Sequence, residues 1–138
     1  MITKKWTNGP SMKYKRYQHA CFYDQQSNSV VVLGGSSGMK GTGSETALKS
    51  IELWNIESKK WISLADSPTS IVLSEAVASK SGEYLGFAAG GQISKETSNK
   101  VWGLRRKDMT WWEMPQRLQR ARQYHSVVNV ASDEIPGC

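Results

Sequence analysis

Two stretches of this chain carry the same order of features about 50 residues apart. Residues 29–61 read S-V-V-V-L-G-G, a polar loop, then S-I-E-L-W-N-I-E-S-K-K-W. Residues 84–111 read Y-L-G-F-A-A-G-G, a shorter polar loop, then K-V-W-G-L-R-R-K-D-M-T-W. Gly34-Gly35 recurs as Gly90-Gly91, a shift of 56, and Trp61 recurs as Trp111, a shift of 50. Self-similarity at such a period is the signature of a repeat architecture. One unit of this kind cannot bury both of its apolar faces alone. Stability and function are therefore expected from surfaces that several units share.

Within each unit the hydrophobic period is that of strands. Ser29 to Leu33 is a continuous β-branched run, as in a strand buried on both faces. Residues 51–56 alternate, Glu57-Ser-Lys-Lys60 is a turn, and Trp61 opens another strand. The second unit follows suit, with strands expected over 75–79, 83–89, 100–104 and 110–114. Residues 36–50 and 92–99 are rich in Gly, Ser and Thr or otherwise polar, and read as loops. Turn signals every 8–12 residues and the absence of a helical stripe predict an all-β chain.

The ends carry partial copies. Arg16-Tyr-Gln-His19 reappears as Arg122-Gln-Tyr-His125, a shift of 106, about twice the period. In the middle unit Val72 and Glu75 are expected at those positions. The chain divides into the end of one unit over residues 1–12, whole units over 16–65 and 74–115, and the first strand of a further unit over 122–131.

These residues resemble the Kelch repeat. The resemblance rests on the strand-terminal pairs Gly34-Gly35 and Gly90-Gly91, on Trp54 placed before Trp61, on Trp111, and on Arg16 and Arg122 opening the first strand of a unit. Leu104 departs from the pattern where an aromatic partner for Trp111 should stand. The resemblance implies a partial β-propeller of four-stranded antiparallel blades, with the glycines at close approaches and the tryptophans wedged between blades. Propellers have about 4–8 blades, so two whole units leave two faces bare. If each exposes on the order of 500 Å² of apolar surface, roughly 12 kcal/mol of burial is forgone per face. That rivals the whole stability of a domain. Further blades, or self-association through the open faces, are expected.

Antiparallel order then assigns the loops to two rims. Residues 12–18, 36–50, 65–74, 92–100 and 115–124 share one rim, with ten bases against three acids. The turns at 24–28, 57–60, 80–83 and 105–108 share the other, with six bases against four acids. The first rim has the longer loops, where binding residues concentrate. A protein partner is expected there, an acidic peptide segment met by Arg16, Arg120 and Arg122, with Tyr14, Tyr17 and Tyr124 beside them. The family likeness implies a non-enzymatic interaction module, recruiting substrates to a ubiquitin ligase or binding actin. The alternative is part of a propeller enzyme, of sugar-oxidase or sugar-acid-epimerase type, whose active site needs further blades.

Other chemistry finds little footing. His19 and His125 lie two units apart, too few and too far for a metal site. The loop after Gly34 lacks the G-x-x-x-x-G-K-[ST] spacing of a phosphate cradle. No catalytic residues, cofactor or metal are expected. The net charge of +6 with six tryptophans raises single-stranded nucleic acid, but the tryptophans sit at packing positions and the bases are dispersed. No apolar run is long enough for a membrane helix, and the first residues lack the apolar core of a signal peptide. Two cysteines make no disulfide framework; Cys21, in an apolar alternating run, is expected as a buried thiol, and Cys138 ends the chain. This usage suits a reducing, cytoplasmic setting.

Overall fold

The computed structural model describes residues 5–130. Residues 1–4 of the expected first partial unit, residue 131 of the last, and Cys138 lie outside the described residues. Among the described residues there is no helix and there are twelve strands. They are β1 (Ala20–Asp24), β2 (Ser29–Leu33), β3 (Ser36–Ser37), β4 (Thr46–Ala47), β5 (Ile51–Asn55), β6 (Lys60–Ser63), β7 (Glu75–Ala78), β8 (Tyr84–Ala89), β9 (Gln92–Ile93), β10 (Glu96–Thr97), β11 (Lys100–Arg105) and β12 (Trp111–Arg117). Two four-stranded antiparallel sheets result, ordered β1-β2-β5-β6 and β7-β8-β11-β12. The loops expected at 36–50 and 92–99 each contain a short extra hairpin, β3-β4 and β9-β10.

Local chemistry fixes the tight turns. Asp24 and Asn55 open theirs by accepting the backbone N–H of Ser27 (3.0 Å) and Ser58 (2.8 Å). Asn28, Lys59 and Met109 close theirs with φ of 47°, 56° and 55°. β12 runs on through Pro115 to Arg117, beyond the expected end of that strand. It is an edge strand, and its pairing with β11 is irregular between Lys100↔Arg117 and Trp102↔Glu113. A residue without an N–H is tolerated at such an edge.

The sheets pack face to face. The first turns Ala20, Phe22, Val31, Leu33, Ile51 and Leu53 into a core that the second completes with Ala76, Leu85, Ala88, Trp102, Leu104 and Trp111. Gly86 makes room for Phe22: a Cβ there would stand 2.6 Å from the Phe22 ring. Leu104 pairs with Gly86 while Arg105 pairs with Tyr84, so Leu85 is an extra, bulged residue, and it is fully buried. The alternation of β1 that sends Ala20, Phe22 and Asp24 inward sends Cys21 and Tyr23 out. Cys21 is therefore exposed, contrary to the expected buried thiol.

Backbone bonds tie each unit to the next. Gly35 N donates to Ile71 O and Gly91 N to Arg122 O, both at 2.8 Å. Leu73 N donates to Gln18 O (3.1 Å) and Tyr124 N to Leu73 O (3.3 Å). Gln18, Leu73 and Tyr124 share an unusual backbone, with φ of 54°, 57° and 53°. They are equivalent positions. The counterparts of Arg16 and His19 in the middle unit are thus Ile71 and Ser74, one residue earlier than the expected Val72 and Glu75. The reciprocal pairing of Tyr17 with Ser36 and of Val72 with Gln92 sets the same register.

Both double glycines occupy left-handed backbone, with φ of 61° and 82° at Gly34 and Gly35, and 64° and 84° at Gly90 and Gly91. A Cβ on Gly34 would overlap the Ile71 carbonyl oxygen, and one on Gly90 would come within 2.6 Å of the Arg122 carbonyl oxygen. The strand ends there because the chain must turn while the next unit's backbone passes against it.

Candidate interaction rim

The candidate rim is built from the β3-β4 and β9-β10 hairpins and the segments entering β1 and β7. Between the two hairpins lies a groove of about 410 Å³, floored by Tyr17, Gln18 and Val72 and flanked by Lys40, Glu45 and Lys95. The β9-β10 turn consists of Ser94 and Lys95, with φ of 51° and 70°. A two-residue hairpin of this hand demands positive φ at both positions and usually recruits Asn-Gly. Non-glycine residues there cost about 1–2 kcal/mol each, so Lys95 is held at the groove by a strained turn.

Glu45 is the acid of this groove. The Gly41 backbone N–H donates to its carboxylate and holds it below the usual carboxylate range. Partial burial, then the Glu45 charge, push the Tyr17 phenol above its ordinary value. The groove thus combines two ammonium groups, a neutral phenol, and one carboxylate already engaged by backbone.

Arg16 is not available to a ligand. Its side chain is fully buried. Nη1 donates to Gly34 O (2.8 Å) and Ser50 O (3.0 Å), and Nη2 to Ser50 Oγ (3.1 Å) and Glu52 Oε1 (2.6 Å). Glu52, 1% exposed, also accepts the backbone N–H of Lys13 (2.7 Å) and Tyr14 (3.3 Å). A buried arginine needs such a partner, and freeing it would strand two charges. The expected carboxylate partner of a peptide is therefore a strut within the first unit.

The other predicted residues do not converge. Tyr17 lines the groove. Tyr14 is exposed beside Lys13, whose Nζ lies 5.2 Å from its ring centre. Arg120, Arg122 and Tyr124 are exposed in the segment that follows β12, and the Tyr17–Gln18 backbone lies two units away along the bonds through Leu73. Lys40 and Lys95 were visible only as two bases among ten on the rim; the groove that gives them meaning comes from hairpins with no Asn-Gly signal.

The remaining motif residues form walls. Trp54 and Trp61 stack with ring centres 6.1 Å apart on the face of the first sheet turned away from the second. Trp61 Nε1 donates to Pro10 O (2.8 Å), which draws the N-terminal segment over that face. Trp111 and Leu104, their counterparts, are buried between the sheets. Among the described residues no three His, Cys, Asp or Glu side chains cluster as metal ligands, and no helix is long and apolar enough to cross a membrane. Comparison with protein-family models and with curated proteins found no match to this chain.

Proposed function

We propose that this chain is a stretch of a Kelch-type β-propeller acting as a non-enzymatic protein-interaction module, and that its groove between the β3-β4 and β9-β10 hairpins receives an acidic peptide segment. The propeller reading is supported by the head-to-tail order of the sheets. The Trp54/Trp61 face of the first sheet is, position for position, the Leu104/Trp111 face that the second sheet packs inward. Such stacking leaves both ends open to further blades. The repeated bonds at Gly35 and Gly91, and at Leu73 and Tyr124, describe the same step taken twice.

The observation that carries the binding reading is the placement of Lys40 and Lys95 on opposite walls of one groove, with the only carboxylate that lines it among the described residues, Glu45, tied to backbone. An extended acidic segment lying between the hairpins would pair with both ammonium groups while its main chain met Gln18 and Gln92. The ligase-adaptor and actin-binding roles rest on the family resemblance alone.

The test is fluorescence anisotropy with a labelled oligo-glutamate peptide at low ionic strength. Binding is expected to weaken with added salt and to weaken strongly in the Lys40→Glu, Lys95→Glu double variant. No binding at low salt, or binding indifferent to the double variant, overturns the proposal.

A further inference from the structure

We infer that the turns on the rim opposite the Lys40/Lys95 groove form a second binding site, one that takes a small monocarboxylate with an apolar body. A pocket of about 540 Å³ opens there between the two units, within the roughly 300–1,000 Å³ typical of small-molecule sites. One wall is the end of β1 and the turn after it, with Tyr23, Gln25 and Gln26. The other is the end of β7 and its turn, from Val77 to Ser81. Asp24 and Arg106, the pair that joins the two sheets, lie between them. Every charged group that lines the pocket therefore belongs to the two whole units, and none belongs to the groove.

The lining groups set the charge of the ligand. Asp24 is the only carboxylate among them, and both of its oxygens are taken. Oδ1 accepts from Arg106 Nη2 (2.9 Å); Oδ2 accepts from Arg106 Nη1 (3.0 Å) and from the backbone N–H and hydroxyl of Ser27. That pair is neutral. Lys80 is exposed and meets no carboxylate among the described residues. One uncompensated ammonium suits one negative charge, whereas a phosphate monoester would bring about −1.5 to −2. Beside Lys80, Ser79 Oγ and Ser81 Oγ lie 2.9 Å apart, and Ser81 N donates to Ser79 Oγ (3.0 Å). Two hydroxyls hold two protons; the bond between them uses one, and the other is left to donate. Ammonium and hydroxyl sit in one turn, placed to serve the two oxygens of a single carboxylate.

The rest of the pocket is apolar and held in place. Tyr23 is 48% exposed, and its hydroxyl donates to Asn28 Oδ1 (2.9 Å), which fixes the ring. Val77 and Ala78 line the same space. Ser79 N donates to Leu85 O and Arg106 N to Glu83 O, both at 2.8 Å, so the two turns are anchored to their own sheet. Asn129 Nδ2 donates to Ala78 O (3.0 Å), which occupies that amide. A frame fixed before the ligand arrives lowers the ordering cost of binding. The body of the ligand meets the Tyr23 ring and the two β7 side chains while its carboxylate meets Lys80. A free organic acid and the C-terminus of a chain ending in an apolar residue both offer this chemistry.

The experiment titrates the full chain with phenylacetate, and separately with acetyl-glycyl-phenylalanine bearing a free C-terminal carboxylate, while backbone amide shifts are followed by NMR. Saturable shifts are expected at Gln25, Gln26 and Ser79 to Ser81, and none at Lys40 or Lys95. Phenylacetamide, which has the same body without the charge, is expected to bind about threefold to fivefold more weakly, the scale of an exposed ion pair. Lys80→Gln is expected to weaken phenylacetate by a similar factor while leaving the urea midpoint unchanged. Binding of phenylacetate alone assigns the site to free acids; binding of the dipeptide alone assigns it to chain termini. No shifts with either ligand, equal affinity for phenylacetamide, or a Lys80→Gln chain that binds as tightly as wild type overturns the inference.

Discussion

Replacing Arg106 with methionine should cut the side-chain clasp between the two sheets. Arg106 follows β11, and its guanidinium grips Asp24, at the end of β1, through Nη1 to Oδ2 (3.0 Å) and Nη2 to Oδ1 (2.9 Å). Asp24 is 2% exposed. Without Arg106 its carboxylate keeps only the Ser27 backbone N–H and hydroxyl. Breaking a buried pair from one side costs roughly 3–5 kcal/mol, a large share of the 5–15 kcal/mol that holds an ordinary domain. The same pair sets a pH signature. The Arg106 hydrogen bond is the largest cause that pulls the Asp24 carboxyl down to about 2, against about 3.9 in an unfolded chain. A folded-state value below the unfolded one contributes stability above pH 4, and that stability is lost as pH falls toward 2. The shift corresponds to about 2–3 kcal/mol. Asp108, Glu113 and Glu45 also titrate low, held by Arg105, Lys100 and the Gly41 amide respectively, but solvent screens these exposed or half-exposed groups. The assay is urea unfolding of wild type, Arg106→Met and Asp24→Asn at pH 6, 5, 4 and 3. Wild type should lose stability on acidification more steeply than either variant, and Arg106→Met should be the least stable of the three at pH 6. Equal pH slopes in all three proteins, or an Arg106→Met midpoint matching wild type, would refute the reasoning.

Two further outcomes follow from the described geometry. Gly34→Ala and Gly90→Ala each place a methyl group against a neighbouring carbonyl in left-handed backbone, so each should lower stability by more than the ~1 kcal/mol of an ordinary exposed Gly position. Gly9→Ala, whose Cβ meets nothing, should change the melting temperature little. In a Cys138→Ser background, Cys21 should react with a maleimide under native conditions at nearly the rate seen in urea; strong native protection would contradict its exposed position on β1.

Much of the fold was legible because strand chemistry is local. Alternation and β-branched runs placed most of the long strands, and polar runs marked the turns at 24–28, 57–60 and 105–108, where the structure shows Asp24, Asn55 and Asp108 capturing nearby backbone. The double glycines marked close approaches, at positions that tolerate no Cβ, whereas the pairing of Trp54 with Trp61 across a ladder is visible only in the fold. The candidate site was legible only as a basic rim. Its groove depends on two small hairpins without a sequence signal, and on Lys95 accepting a backbone that lysine rarely adopts.

From the sequence alone came the repeat and the places of its long strands, since a period of two and a double glycine act within a few bonds. What surrounds each strand was decided only in three dimensions. Alternation separates Cys21 from Phe22 without saying which side the second sheet covers. Arg16 and Arg122 open their strands alike, yet the first is buried because Glu52 and two carbonyls of its own hairpin reach it, whereas the second meets no such hairpin among the described residues. The one-residue register that makes Ile71 the counterpart of Arg16 rests on hydrogen bonds between units. Desolvation and pairing are properties of neighbours far apart in the chain, so identical residue types can be a strut in one unit and an open hand in another.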